Sequence, residues 1–385
     1  MSSTASAPIY LDHNATTPLW PEVREAMFTA WTRYSANPAS QHRAGRQVRR
    51  ALEDAREEIG LLLGAAVNQV RPDRILFTSG GTESNNLALW GLGDPAISRI
   101  IISSIEHPSI LEAAEAGEKR GWQVDQVQVS PDGVIDLEHL EALLQEPARL
   151  VSLMMANNET GVVQPIQAAA AICQEYGVPL HTDATQAGGK KSLHFREMGV
   201  AAMTLSAHKF HGPMGISALL IRNDIPMQPF LFGGFQQEGL RPGTESIAPV
   251  LGMLKALQLW EDRRVALNAH WTELRDNFES RIISTYRPAH VHGFAAPRMP
   301  HTSNISFPGC DRQALLIALD LQGIACSTGS ACASGSSEPS KTLIAMGCPG
   351  DHLQSALRFS LGAGTTSREM DRAAEIILNC VHSMV

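Results

Sequence analysis

Lys209 sits in the segment Ser206-Ala207-His208-Lys209-Phe210-His211-Gly212-Pro213-Met214-Gly215, just past a short apolar run and between hydroxyl and imidazole donors. A lysine so placed can join covalently to an aldehyde cofactor, provided burial or cationic neighbours leave its amine partly unprotonated. The glycines leave room for a flat ring, although a solvated Gly/Pro loop has the same composition. Asp183 closes another apolar run in His181-Thr182-Asp183-Ala184-Thr185-Gln186. A carboxylate beneath a pyridine nitrogen keeps the ring protonated and able to accept electrons, while a helix cap is the plainer role for it. Asn158, in Ala156-Asn157-Asn158-Glu159-Thr160-Gly161, can donate to a ring hydroxyl or form a turn. His107, in Ser104-Ile105-Glu106-His107-Pro108, can stack on the ring or begin a helix.

Two further segments complete the set. In Thr78-Ser79-Gly80-Gly81-Thr82-Glu83-Ser84-Asn85-Asn86, a strand-to-helix turn exposes free N–H groups that attract an anion such as phosphate. Gly80 and Gly81 allow close backbone approach and Thr82 adds a hydroxyl, but many structural junctions read the same way. Cys332 lies in a stretch, 327–337, made only of small side chains. Little bulk opposes a swing of this segment, so it is expected to be a mobile loop that could carry a thiol to a substrate and outward again.

These residues need a scaffold that gathers strand ends at one edge. Short apolar runs at 74–78, 99–103, 149–155, 179–183 and 202–206 alternate with polar or amphipathic stretches, which predicts a mostly parallel sheet between helices. Residues 136–144 and 166–176 carry apolar side chains at helical spacing and read as crossover helices, the first capped by Asp136. Beyond residue 250 the pattern changes to long helical stretches over 247–286, a strand over 302–307 and a helix over 311–321. A large domain over 15–255 is therefore expected, with a smaller α+β domain made of 1–14 and 256–385. In an open sheet of this kind, ligands bind beyond the carboxyl ends of the strands.

The 385 residues carry a formal net charge of -8 with no basic block, which argues against nucleic acid as a partner. No apolar run approaches bilayer length and the first residues lack a signal-like pattern, so a cytoplasmic protein without membrane association is expected. Six cysteines, at 173, 310, 326, 332, 348 and 380, have neither disulfide-scaffold density nor paired zinc-site spacing, and no metal site is expected.

Taken in order, the segments resemble the cysteine desulfurases of the NifS-like group, within the class V aminotransferase branch of pyridoxal-phosphate enzymes. The likeness also runs through Tyr10-Leu11-Asp12-His13-Asn14-Ala15-Thr16-Thr17-Pro18, Arg241-Pro242-Gly243-Thr244-Glu245 and Arg358-Phe359-Ser360-Leu361-Gly362. It implies pyridoxal 5'-phosphate as cofactor, fold type I with a seven-stranded central sheet, and conversion of L-cysteine to L-alanine. By position it implies that Lys209 holds the cofactor, Asp183 pairs with the ring nitrogen, and Asn158 and Gln186 contact the ring hydroxyl side. His107 would stack on the ring and assist proton transfer, and Gly81, Thr82, Ser206 and His208 would hold the phosphate. Thr244 would reach the phosphate of a second subunit, which makes the protein a homodimer, and Arg358 with Asn158 would bind the substrate.

Cys332 would take the sulfur as a persulfide and pass it to an acceptor protein such as an iron-sulfur scaffold. A selenocysteine lyase and a class V aminotransferase share the ring chemistry, but transamination does not need Cys332. Met214, His13 and the pair Gln237-Glu238 depart from the family pattern, and Cys326 stands where a small residue is commoner, its role left open.

Overall fold

The computed structural model describes residues 8–329 and 338–385. The chain opens with strand β1 (Ile9–Tyr10) and helices α1 (Pro21–Arg33) and α2 (Arg43–Leu62). An alternating part follows: β2 (Arg74–Thr78), α3 (Gly81–Gly91), β3 (Arg99–Ser103), α4 (Pro108–Glu118), β4 (Gln123–Val127), α5 (Leu137–Leu143), β5 (Leu150–Ser152), α6 (Ile166–Glu175), β6 (Leu180–Asp183), β7 (Ala202–Ser206) and β8 (Ser217–Ile221). Beyond it come α7 (Ile247–Thr285), β9 (His290–Val291), β10 (Thr302–Ser306), α8 (Arg312–Leu321) and β11 (Ile324–Ala325). The chain closes with α9 (Lys341–Ala345), α10 (Gly350–Ser355), β12 (Ala356–Ser360) and α11 (Ser367–Met384).

Strands β2 to β8 form one seven-stranded sheet in the order β2-β8-β7-β6-β5-β3-β4. Only β8 runs against the rest, pairing antiparallel with β7 and β2. Residues 207–216 are all that separate it from β7, and a parallel return needs roughly a dozen residues or more. The sequence rhythm omits two strands: β8, which is fully buried, and β4, because Gln123-Val124-Asp125-Gln126-Val127 is a half-exposed edge strand, and a polar edge lacks the continuous apolar run of a buried parallel strand. The run at 149–155 is a regular strand only over Leu150–Ser152, yet Leu153 N still donates to His181 O and Met155 N to Asp183 O. The ladder thus carries the chain on to Asn158 without further regular strand.

Local signals set the helix ends. Asp136 accepts from His139 N at the start of α5, and Thr366 and Glu369 bond reciprocally at the start of α11. In α11, Met370, Ala373, Ala374, Ile377, Leu378 and Val381 return every three or four residues and are all buried. Helix α7 serves two cores: Val250, Met253 and Leu257 pack under the large sheet, whereas Trp271, Leu274, Phe278 and Ile282 pack with Ile305 and Phe359 of the smaller, three-stranded sheet β12-β10-β9 and with Phe307 just beyond β10. Among the described residues, no helix is long and apolar enough to cross a membrane.

Candidate functional site

The carboxyl ends of β2, β3, β5, β6 and β7 converge on a cavity of about 650 Å3. Gly81 and Thr82 after β2, His107 after β3, and Asn158 past the β5 ladder all line it. So do Asp183 and Gln186 from β6, and Ser206, His208 and Lys209 from β7. Arg358, from β12 of the smaller sheet, closes the wall.

At the β2 end, α3 starts at Gly80 with no side chain capping it, so its first N–H groups face the cavity uncapped. A Cβ on Gly80 would meet nothing within 4 Å, whereas one on Gly81 would touch Thr185 Oγ1 at 3.4 Å and Ser206 Cβ at 3.7 Å, so the turn at Gly80 borders open space. Thr185 Oγ1 is buried without a hydrogen-bond partner among the described residues. An uncapped helix terminus beside an unused hydroxyl suits a phosphate. Thr82 lies within the helix, and its hydroxyl does not cap the turn.

Asp183 is held from two sides: Asn85 Nδ2 donates to its Oδ2 at 2.7 Å and Thr185 N to its Oδ1 at 2.9 Å. Asn85 Nδ2 also donates to Ser109 Oγ at 2.8 Å, and Ser109 Oγ lies 2.8 Å from His107 Nδ1. His107 lines the cavity and begins α4, where its Nδ1 accepts from Ser109 N at 3.1 Å. With Nδ1 accepting, the proton of the neutral ring belongs on Nε2. Burial keeps the imidazole below its ordinary pKa; the Asp183 charge opposes this and the Lys209 charge adds to it.

Lys209 follows β7 in a single 3-10 turn, and its Nζ donates to Asn14 O at 2.6 Å and Ala15 O at 2.9 Å. His208 beside it is pushed down to about 4, by burial first and then by Lys209 and Lys190. Gln186 Nε2 donates to the same Asn14 carbonyl at 3.1 Å. Arg358 is only 1% exposed; its Nη1 donates to Asn158 O at 2.9 Å and Gly329 O at 3.1 Å, and its Nη2 to Asp12 Oδ1 at 2.7 Å. Its Nε has no hydrogen-bond partner among the described residues, which suits a carboxylate arriving in the cavity.

Thr244 is exposed on the loop after Arg241 and does not line this chain's cavity. Cys332, with most of its small-residue segment, lies outside the described residues. The described residue Gly329 before it is tied to Arg358, and Ser340 after it donates to Glu159 Oε2 at 2.6 Å. No described cysteine lines the cavity. Burial lifts the thiols of Cys173 and Cys326 to about 12, and Asp12 adds to the rise at Cys326, which makes it a poor nucleophile. Sequence reasoning gave no roles to Asn14, Asn85, Glu106 and Ser109; their shared signal is a polar type at a strand end or early helix turn.

Comparison with known proteins follows the same lines. Residues 9–373 match the family model described as aminotransferase class-V. The cysteine desulfurase IscS of Dictyoglomus turgidum is 38% identical over 379 residues, covering 98% of this chain and 95% of that protein. The cysteine desulfurase NifS of Azotobacter vinelandii is 38% identical over 372 residues, covering 95% of this chain and 90% of its own. A solved NifS-like protein from Rickettsia africae superposes with a TM-score of 0.88 at 32% identity, covering 97% and 99% of the two chains.

Proposed function

Because the chain belongs to the class-V aminotransferase family, whose members are pyridoxal-phosphate-dependent, we propose that it is a cysteine desulfurase, a sulfurtransferase that converts L-cysteine to L-alanine and passes the sulfur on from Cys332. The observation that carries the reading is one cavity in which Lys209, Asp183 and Arg358 arrive from three different strands. The uncapped turn at Gly81 and the unused Thr185 hydroxyl fit the cofactor's phosphate, and Asp183, anchored by Asn85, fits its ring nitrogen.

Gly81, Thr82, Ser206 and His208 would hold the phosphate, Asn158 and Gln186 the ring hydroxyl side, and His107 the ring face. Bound pyridoxal phosphate supplies an electron sink for a carbanion at the substrate's α-carbon. Arg358 receives the carboxylate of L-cysteine and fixes the α-carbon relative to Lys209. The Lys209 amine would remove the α-proton, and His107, neutral and protonated on Nε2, would relay protons beside it. The Cys332 thiolate attacks the substrate sulfur: an S–S bond forms on Cys332 while the C–S bond breaks, its electron pair staying with the carbon skeleton that becomes alanine. A sulfur acceptor such as an iron-sulfur scaffold then takes the outer sulfur.

Thr244, exposed in one chain, would complete the phosphate site of a second copy in a homodimer, and the reaction would take place in the cytoplasm. The test is Cys332→Ala with L-cysteine and dithiothreitol. The variant should keep the visible absorbance of the bound cofactor and release no sulfide; normal sulfide release would refute the assignment of the nucleophile.

A further inference from the structure

We propose that Lys190 is a positioning residue that locks the Gln186 amide with its N–H groups toward the cavity. The proposal rests on the reading of Gln186 as a contact to the cofactor's ring oxygen. Lys190 follows Gln186 by one helical turn's spacing after β6, is 3% exposed, and does not itself line the cavity. Its Nζ donates to Gln186 Oε1 at 3.3 Å, Gln186 Nε2 donates to Asn14 O at 3.1 Å, and that same carbonyl accepts from Lys209 Nζ at 2.6 Å.

The Asn14 carbonyl can only accept, so one of the two amide orientations is compatible with it: Nε2 toward Asn14 and Oε1 turned away. Turned away, Oε1 is buried and needs a donor, and among the described residues Lys190 reaches it. The remaining N–H on Nε2 is then free for an acceptor in the cavity, which suits a ring oxygen. A flipped amide would set two acceptors against each other at Asn14 and offer the cofactor an acceptor too. Burial, Lys209 and Arg358 hold the Lys190 amine well below its ordinary pKa, and an amine donates in either protonation state, so the lock does not depend on its charge. His13, His208, His211 and His301 also feel the Lys190 charge, each held low chiefly by its own burial.

The experiment measures pyridoxal phosphate affinity and the position of the bound-cofactor absorbance band in holoenzymes of the wild type, Lys190→Met, Gln186→Met and the double variant. Loss of one hydrogen bond should weaken cofactor affinity about fivefold in each single variant. The double variant should bind no more weakly than Gln186→Met alone, with the band moved the same way in all three. Lys190→Met at wild-type affinity, or a second full loss when it is added to Gln186→Met, overturns the proposal. Gln186→Met at wild-type affinity overturns the Gln186 contact and the lock together, whereas a wild type that binds no cofactor overturns the functional reading itself. Where Lys190→Met does not fold, Lys190→Arg decides: retained affinity supports a donor role, and a loss equal to that of Gln186→Met overturns it.

Discussion

Replacing Glu106 with Gln should remove a pH-dependent loss of stability from the protein. Glu106 lies in the cavity wall, 4% exposed, where its Oε1 accepts from Ser103 Oγ and Met154 N, both at 2.6 Å, and its Oε2 has no partner among the described residues. Burial pushes its carboxyl up to about 8; the two hydrogen bonds oppose the rise, and the Asp183 charge adds a further upward push. The folded value lies above the ordinary 4.5, so the unfolded chain gives up this proton first. Stability from this group is therefore fully present below about pH 4.5 and is lost progressively as pH rises through about 8. At 1.36 kcal/mol per unit, a gap of about 3.5 units sets a ceiling of about 5 kcal/mol. Glutamine keeps the oxygen that accepts both bonds and does not ionise, and its buried NH2 adds only a constant cost of about 1 kcal/mol. Urea denaturation of both cofactor-loaded proteins, at about pH 5 and about pH 8.5, should show Glu106→Gln gaining several kcal/mol on the wild type at the higher pH. Parallel stability curves across that range would show that the buried carboxyl does not titrate as argued.

Three other outcomes follow from the same contacts. Arg358→Lys loses the planar fork and the unpartnered Nε, so kcat/KM for L-cysteine should fall on the order of 10- to 100-fold, read by alanine formation. Arg298 Nη1 and Nη2 donate to Glu279 at 2.7 and 2.8 Å with both side chains buried, so Glu279→Ala strands a buried charge and should cost about 3–5 kcal/mol in urea denaturation. A Cβ on Gly117 would lie 2.1 Å from Trp122 Cε3, so Gly117→Ala should lower stability by about 1–3 kcal/mol through displacement of the indole, visible as a lower melting midpoint.

Five of the seven sheet strands, the Asp136 cap and the positions of Lys209, Asp183 and His107 at strand ends were legible in the residues, because periodicity and capping are local properties. So was the family, through ordered motifs spread along nearly the whole chain. What tertiary structure decided is what lies beside what. That β8 runs backward between β2 and β7, that Arg358 crosses from the smaller sheet to Asn158 and Gly329, and that Lys190 reaches Lys209 through Gln186 and Asn14 depend on contacts between segments up to hundreds of residues apart. Pairing register and burial are set by the packed whole rather than by neighbours in sequence. For that reason the residue types were readable one by one, whereas the raised acid at Glu106 and the orientation of an amide at Gln186 emerged only once the surrounding chain had excluded water from them.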